Sequence, residues 1–281
     1  MSERTIVITG ASDGIGAAAA RALSQTGDRV VIVGRSPQKT AMIAAELGVD
    51  HLIADFTRLA DVRTLAVELL SRYPRIDVLA NNAGGIMGNR EMTVDGHEKT
   101  FQVNHLAPFL LTTLLMDRLV TSRAAVINTS SAANRFGRID LDHLENDRKY
   151  SPNTAYGSAK LANILFTREL HRRYSDRGIS TAAFHPGVVA TSFSAGSTSL
   201  MRLVYQSALK RMLITPEKGA DTLVWLASTT AGADWRSGEY FEKRRVHATN
   251  PQAVDAGLAT ALWERSLDLV APDLLPQERG R

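Results

Sequence analysis

Tyr156 and Lys160, in the stretch "YGSAK", are the residues of this 281-residue chain whose types and spacing most directly suggest chemistry. Four apart on a helix, two side chains share a face about one turn apart. A phenol with an unperturbed pKa of about 10 readily protonates an alkoxide but is a poor base near neutrality. A neighbouring ammonium stabilises the phenolate, and lowering the pKa by about 3 units takes roughly 4 kcal/mol of differential interaction. The pair therefore suits a general acid toward a developing alkoxide and, in reverse, a base toward an alcohol. The spacing alone is common, and an isolated pair is more often a half-buried aromatic beside a surface lysine.

A second constellation lies near the start. In "VITGASDGIG" (7–16), Gly10, Gly14 and Gly16 follow a β-branched run and precede a run of alanines. Glycine allows backbone to approach a pyrophosphate, and the helix beyond presents unpaired N–H groups to the anion. The spacing G-x-x-x-G-x-G is neither the G-x-G-x-x-G fingerprint nor a G-x-x-x-x-G-K-[ST] phosphate loop. A turn that merely packs helix on strand is the alternative.

The elements that must position these residues alternate along the chain. "RTIVIT" (4–9), "RVVIVG" (29–34), "DHLIAD" (50–55), "IDVLANNAG" (76–84) and "AAVINTSS" (124–131) read as buried strands. Between them, 17–27, 40–48, 63–73 and one long segment, 100–119, read as helices, the first closed by Gly27. Continuous apolar strands between helices indicate a parallel sheet covered on both faces, hence a Rossmann-type doubly wound α/β fold. No linker or repeat divides residues 1–281, so one domain is expected.

Composition narrows the function. The chain has no cysteine, which excludes disulfides and thiolate chemistry, and its seven histidines show no metal-ligand spacing. The longest apolar stretch, 106–116, is shorter than the about 20 residues that cross a bilayer. The first apolar run begins by residue 5, without a signal peptide before it. A soluble, cytoplasmic protein is the expectation. The net charge of +4 raises nucleic acid, but "HRRY" (171–174) and "EKRRVH" (242–247) are short and interleaved with acids, which reads as solvated surface.

The ordered set T-G-x-x-x-G-I-G, N-N-A-G (81–84), Asn104 in the following helix, Ser131 at a strand end, Y-x-x-x-K and P-G-x-x-x-T (186–191) resembles the short-chain dehydrogenase/reductase family over about residues 4–245. "EMTVDGHEKTFQVNHLAPFLLTTLL" and "AYGSAKLANILFTREL" are similar to the branch holding retinol dehydrogenases and light-dependent protochlorophyllide reductase. So is the extra length between Ser131 and Tyr156. Membrane-bound members of that branch carry an N-terminal segment not seen ahead of residue 5, in keeping with a soluble chain.

The resemblance implies catalytic roles for Asn104, Ser131, Tyr156 and Lys160. Ser131 would hydrogen-bond the substrate oxygen, with Ser130 a turn or capping residue. Lys160 would also grip the nicotinamide ribose, and Asn104 would hold a water linking Lys160 to solvent. Cofactor contacts would come from Gly10, Ser12, Asp13, Gly14, Ile15 and Gly16, then Arg35, Asp55 and Phe56, then Asn82, Ala83 and Gly84. Pro186, Gly187, Val189 and Thr191 would complete them with Tyr156 and Lys160. His105 and His185 read as packing residues.

An acid about 20 residues after the glycines favours NAD, whereas a nearby arginine accommodates the 2′-phosphate of NADP. Gly34 and Arg35 stand where the acid is expected, with Lys39 beyond, so NADP(H) is expected over NAD(H). Asp13 argues the other way if it points inward. Residues 192–215 are expected to form a substrate lid and 246–281 a C-terminal extension. The lid's apolar residues favour a lipophilic or aromatic carbonyl. The chemistry expected is carbonyl–alcohol interconversion on a small molecule. A dinucleotide-sensing regulator and, less so, an epimerase or dehydratase are the alternatives. A homodimer or homotetramer through the helices of Asn104 and Tyr156 is possible in this family.

Overall fold

The computed structural model describes residues 3–145, 150–189 and 214–270. Thr191 and all of the expected lid but Ile214 and Thr215 lie outside them, as does the extension beyond residue 270.

The strands run β1 (Thr5–Thr9), β2 (Arg29–Gly34), β3 (Asp50–Ile53), β4 (Val78–Asn81), β5 (Ala125–Thr129), β6 (Ser180–His185), β7 (Glu239–Glu242) and β8 (Arg245–Val246). They form one sheet in the order β3-β2-β1-β4-β5-β6-β7-β8. All neighbours are parallel except β7 and β8, an antiparallel hairpin at the edge. The order turns back between β1 and β4, and such a switch point opens a crevice at the strands' carboxyl ends. The strands β1, β2 and β4 bury side chains on both faces, as their near-continuous β-branched and aliphatic runs require.

The helices are α1 (Gly14–Leu23), α2 (Pro37–Leu47), α3 (Leu59–Arg72), α4 (Lys99–Phe101), α5 (Ala107–Leu114), α6 (Met116–Ser122), α7 (Pro152–Tyr174), α8 (Pro216–Ser228) and α9 (Ala256–Val270). Two apolar layers form. Ile6, Ile8 and Ile32 face the alanines of α1 and Leu223 and Leu226 of α8. Val7, Leu79 and Val126 face α3, α5, α7 and α9. Alanine at 17–20 lets α1 lie close to the sheet, and therefore brings its N-terminus to the end of β1.

Two expectations are corrected. The segment expected as one helix over 100–119 is interrupted: α4 passes through a π turn at Gln102–Leu106 into α5, and α6 follows a break at Leu115. Pro108 has no N–H to return to Asn104, and the Ala107 N–H instead reaches back five residues to the Gln102 carbonyl. Helix α1 ends at Leu23, well before Gly27. Ser24 and Thr26 hydroxyls donate to the carbonyls of Arg21 and Leu23 and stop it.

Candidate active site

At the switch point lies a cavity of ≈ 740 Å³, lined from Gly10, Ser12 and Arg35 at one end to Ser131, Tyr156 and Pro186 at the other. Its floor depends on glycine. A Cβ on Gly10 would stand 2.7 Å from the Ala83 Cα, and Gly10 and Gly14 both have positive φ, at 65° and 55°. Asn82 fixes this junction: its Nδ2 donates to the Thr9 carbonyl at 3.0 Å and the Gly10 carbonyl at 3.3 Å. Thr9 Oγ1 in turn accepts from the N–H groups of Asn82 and Ala83, each at 3.0 Å. The N-N-A-G stretch thus builds the cradle as much as it lines it.

Asp13 caps α1, its carboxylate accepting from Gly14 N–H at 2.7 Å and lying 4.0 Å from Lys39 Nζ. The acid that argued against a 2′-phosphate is therefore partly offset by a cation, leaving exposed Arg35 on the wall. A side chain at position 34 has no room, because a Cβ there would come within 2.8 Å of Ser12 Cβ and closer still to Thr40 Oγ1. Asp55 and Phe56 line the same end, and Asp55 also anchors its turn by accepting from Thr57 N–H and Oγ1–H, both at 2.9 Å.

The far end holds the pair that opened the sequence argument. Tyr156 lies on the cavity wall. Lys160 sits behind it at 1% exposure, its Nζ 5.4 Å from the Tyr156 ring centroid and donating to the Thr129 carbonyl at 3.0 Å. Burial alone pushes the lysine pKa down to about 7. The buried Asn104 amide is fully engaged: Nδ2 donates to Gly85 O and Thr100 O at 2.9 and 2.8 Å, and Oδ1 accepts from Gly85 N–H at 3.1 Å. Gly84 is the thin wall in front. A Cβ there would lie 2.5 Å from Asn104 Oδ1 and 3.1 Å from Lys160 Nζ.

Ser131, half-buried on the wall, caps a 3₁₀ turn at Ala132–Phe136 by accepting from Ala133 N–H at 3.2 Å, so its own O–H remains to be donated. Capping thus falls to Ser131, while Ser130 donates to the Lys160 carbonyl at 2.7 Å. Ile15, Pro186, Gly187 and Val189 also line the cavity. Of the expected site residues, only Asn104 and Lys160 stand behind the wall, and Thr191 lies outside the described residues.

Ile86, Met87, Val103 and Thr129 line the cavity without having been expected. The first two simply continue the loop after N-N-A-G, which is the one signal that points to them. His185, expected as packing, also lines it, with a buried Nδ1 lacking a partner and burial pushing its pKa down. His105 does pack, against Phe101, Phe109 and Phe166. Its Nε2 lies 2.9 Å from Ser266 Oγ, and burial pushes it down to about 4. No cluster of metal-ligating side chains occurs among the described residues.

A glycine-lined cavity at the switch point of a doubly wound sheet, with a lysine buried behind a tyrosine, is an architecture in keeping with a dinucleotide-using oxidoreductase. Residues 4–201 match the model of the family described as short chain dehydrogenase. A Streptomyces sp. (strain C5) protein provisionally named a daunorubicin C-13 ketoreductase is 45% identical over 270 residues, covering 94% of this chain and 91% of its own. Retinol dehydrogenase 12 of Homo sapiens is 37% identical over 275 residues, covering 95% and 86%. A Mycobacterium paratuberculosis protein of unassigned function has a crystal structure with TM-score 0.77 at 32% identity, covering 96% of this chain and 94% of that one. The chain belongs to the short-chain dehydrogenase family, in a branch similar to the retinol dehydrogenases. Members of the family use nicotinamide dinucleotides.

Proposed function

We propose that this protein interconverts a lipophilic or aromatic aldehyde or ketone and its alcohol, using NADP(H). The observation that carries the reading is Tyr156 on the wall of the cavity that the glycine turn also lines, with Lys160 buried behind it. The cavity fits the cofactor: the turn at Gly10 tolerates no side chain, the N-terminus of α1 lines the cavity where an anionic pyrophosphate would lie, and Arg35 supplies a cation. Bound there, the cofactor supplies or takes the hydride.

The chain's own groups handle the oxygen and its proton. The Tyr156 hydroxyl gives its proton to the carbonyl oxygen as that oxygen becomes an alkoxide, and recovers one in the reverse direction. The Ser131 O–H donates to the same oxygen and fixes its approach. Protonated Lys160, 5.4 Å from the ring, stabilises the phenolate that the tyrosine becomes. Asn104 holds the loop wall rigid in front of the lysine.

The names of the relatives support a large apolar substrate, since one is named for retinol and one for the C-13 ketone of daunorubicin. No helix among the described residues is long and apolar enough to cross a membrane. Helix α9 lies along α7, so self-association through that face of α7 is disfavoured, and light scattering would give the stoichiometry. The reading is tested by NADPH oxidation at 340 nm with aldehydes, diketones and quinones, alongside Tyr156→Phe. Turnover that disappears in the variant while cofactor binding persists supports it. Tight NADPH binding with silence across the panel favours a dinucleotide sensor.

A further inference from the structure

Beneath the lysine lies a polar group that the reaction as described does not use. Asn163 is one turn beyond Lys160 on α7 and 4% exposed. Its Nδ2 donates, at 3.2 Å, to the Thr129 carbonyl, the same oxygen that accepts from Lys160 Nζ at 3.0 Å. A peptide carbonyl offers two lone pairs, so these two donors fill it. The carbonyl is available because β4 has turned away at this level: the N–H groups of Asn82 and Ala83 go to Thr9 Oγ1.

We propose that Asn163 is a positioning residue for the reaction, setting through the shared Thr129 carbonyl how tightly Lys160 is held and how far it stands from Tyr156. The inference rests on the reading of Tyr156 and Lys160 above.

One observation separates this role from packing: the Asn163 amide nitrogen shares its acceptor with the Lys160 ammonium. The buried Oδ1 at the other end of the amide faces the His105 imidazole. Two donors on one oxygen also compete, so the amide weakens the pull of that carbonyl on the ammonium and leaves Lys160 free to serve Tyr156. The surroundings give the carbonyl unusual influence. Burial lowers the Lys160 pKa with no charged group among the described residues acting against it, so a change at the carbonyl is not masked by a neighbouring charge. Tyr156 faces it from its own helix, His105 of the π turn lies by Asn163 and is kept neutral by burial, and His185 lines the cavity at the end of β6. On β5 its neighbours are Thr129 and Ser130, neither of which titrates.

The test uses Asn163→Leu and Asn163→Asp in the full chain. Without cofactor, ¹³C-lysine NMR follows the protonation of Lys160, whose signal is the one missing from Lys160→Met. With the amide gone, the carbonyl turns wholly to the ammonium, and the Lys160 midpoint should rise by about half a unit or more in Asn163→Leu. A carboxylate in Asn163→Asp should raise it by about a unit or more. In turnover assays near pH 7, kcat should fall by about tenfold in Asn163→Leu with KM for NADPH within about twofold. The melting temperature of each variant is measured alongside, so that lost activity can be set against lost stability. A midpoint unmoved in both variants overturns the proposal, as does a kcat loss that tracks only lost stability. Full activity in Tyr156→Phe would instead sink the reading beneath it and leave the NMR coupling standing.

Discussion

Asn104 holds Gly85 by both ends, donating to its carbonyl at 2.9 Å and accepting from its N–H at 3.1 Å. The π turn makes this possible by turning the Asn104 side chain toward the loop that follows β4. Replacing it by alanine leaves two buried backbone groups unpaired, at about 1–3 kcal/mol each. Asn104→Ala is expected to melt roughly 5–10 °C lower, using about 2–4 °C per kcal/mol for a chain of this size. Its NADPH affinity should fall as well, because the loop carrying Gly84 lines the cavity. A melting temperature within about 1 °C of the parent would show that the clamp contributes nothing.

The proposed use of NADP(H) makes the end of β2 the place to test cofactor choice. Position 34 excludes an acid on steric grounds, and Asp13 is occupied as a helix cap beside Lys39. Arg35 is thus the cation left to meet a 2′-phosphate. Arg35→Gln should raise KM for NADPH by about tenfold or more while changing KM for NADH by less than about threefold. Equal changes for both cofactors would remove Arg35 from that role. Gly34→Asp should not convert the enzyme to NADH, since the added side chain collides with Ser12 and Thr40.

Much of this fold was legible because parallel strands buried on both faces leave continuous apolar runs, and β1, β2 and β5 stand within a residue or two of where those runs place them. The cavity end of the site was legible too, since Gly10, Tyr156 and the Pro186–Gly187 turn are local motifs that fall directly at strand ends or on a helix. What stayed hidden depends on contacts between distant segments. The π turn that brings Asn104 to Gly85 is not encoded in any periodicity of the sequence. The roles of Ser130 and Ser131 are set by Lys160 O and by the turn beyond, not by their order in the strand. The β7–β8 hairpin turns at Lys243 and Arg244, both with positive φ, where the sequence offers no glycine or asparagine as a signal.

The buried lysine gives the cofactor-free protein a pH-dependent stability. Its pKa falls from the ordinary value of a lysine, 10.5, to about 7 on folding, so between those values the unfolded chain binds more protons than the folded one. Stability must therefore rise with pH across that window. Urea unfolding at pH 7 and pH 9.5 should show an increase of more than about 1 kcal/mol from this group, absent in Lys160→Met. An identical pH slope in the variant would mean that the lysine keeps an ordinary pKa in the folded state.

His97 produces the opposite slope. Its Nδ1 lies 2.7 Å from Glu145 Oε1 and its Nε2 3.2 Å from the Leu269 carbonyl, joining the segment between Ser131 and Tyr156 to the end of α9. The Glu145 hydrogen bond and charge raise the imidazole pKa against the lowering effect of burial. A group whose pKa is raised on folding stabilises fully below its unfolded value of about 6.5 and loses that contribution as pH climbs through the folded value. Between about pH 6 and pH 8, His97→Gln should therefore lose a decline of roughly 0.5–1 kcal/mol seen in the parent. Glu145→Gln should remove the same decline while leaving the Lys160 slope at higher pH intact. If both variants keep the parent's decline, the His97–Glu145 contact does not form in solution.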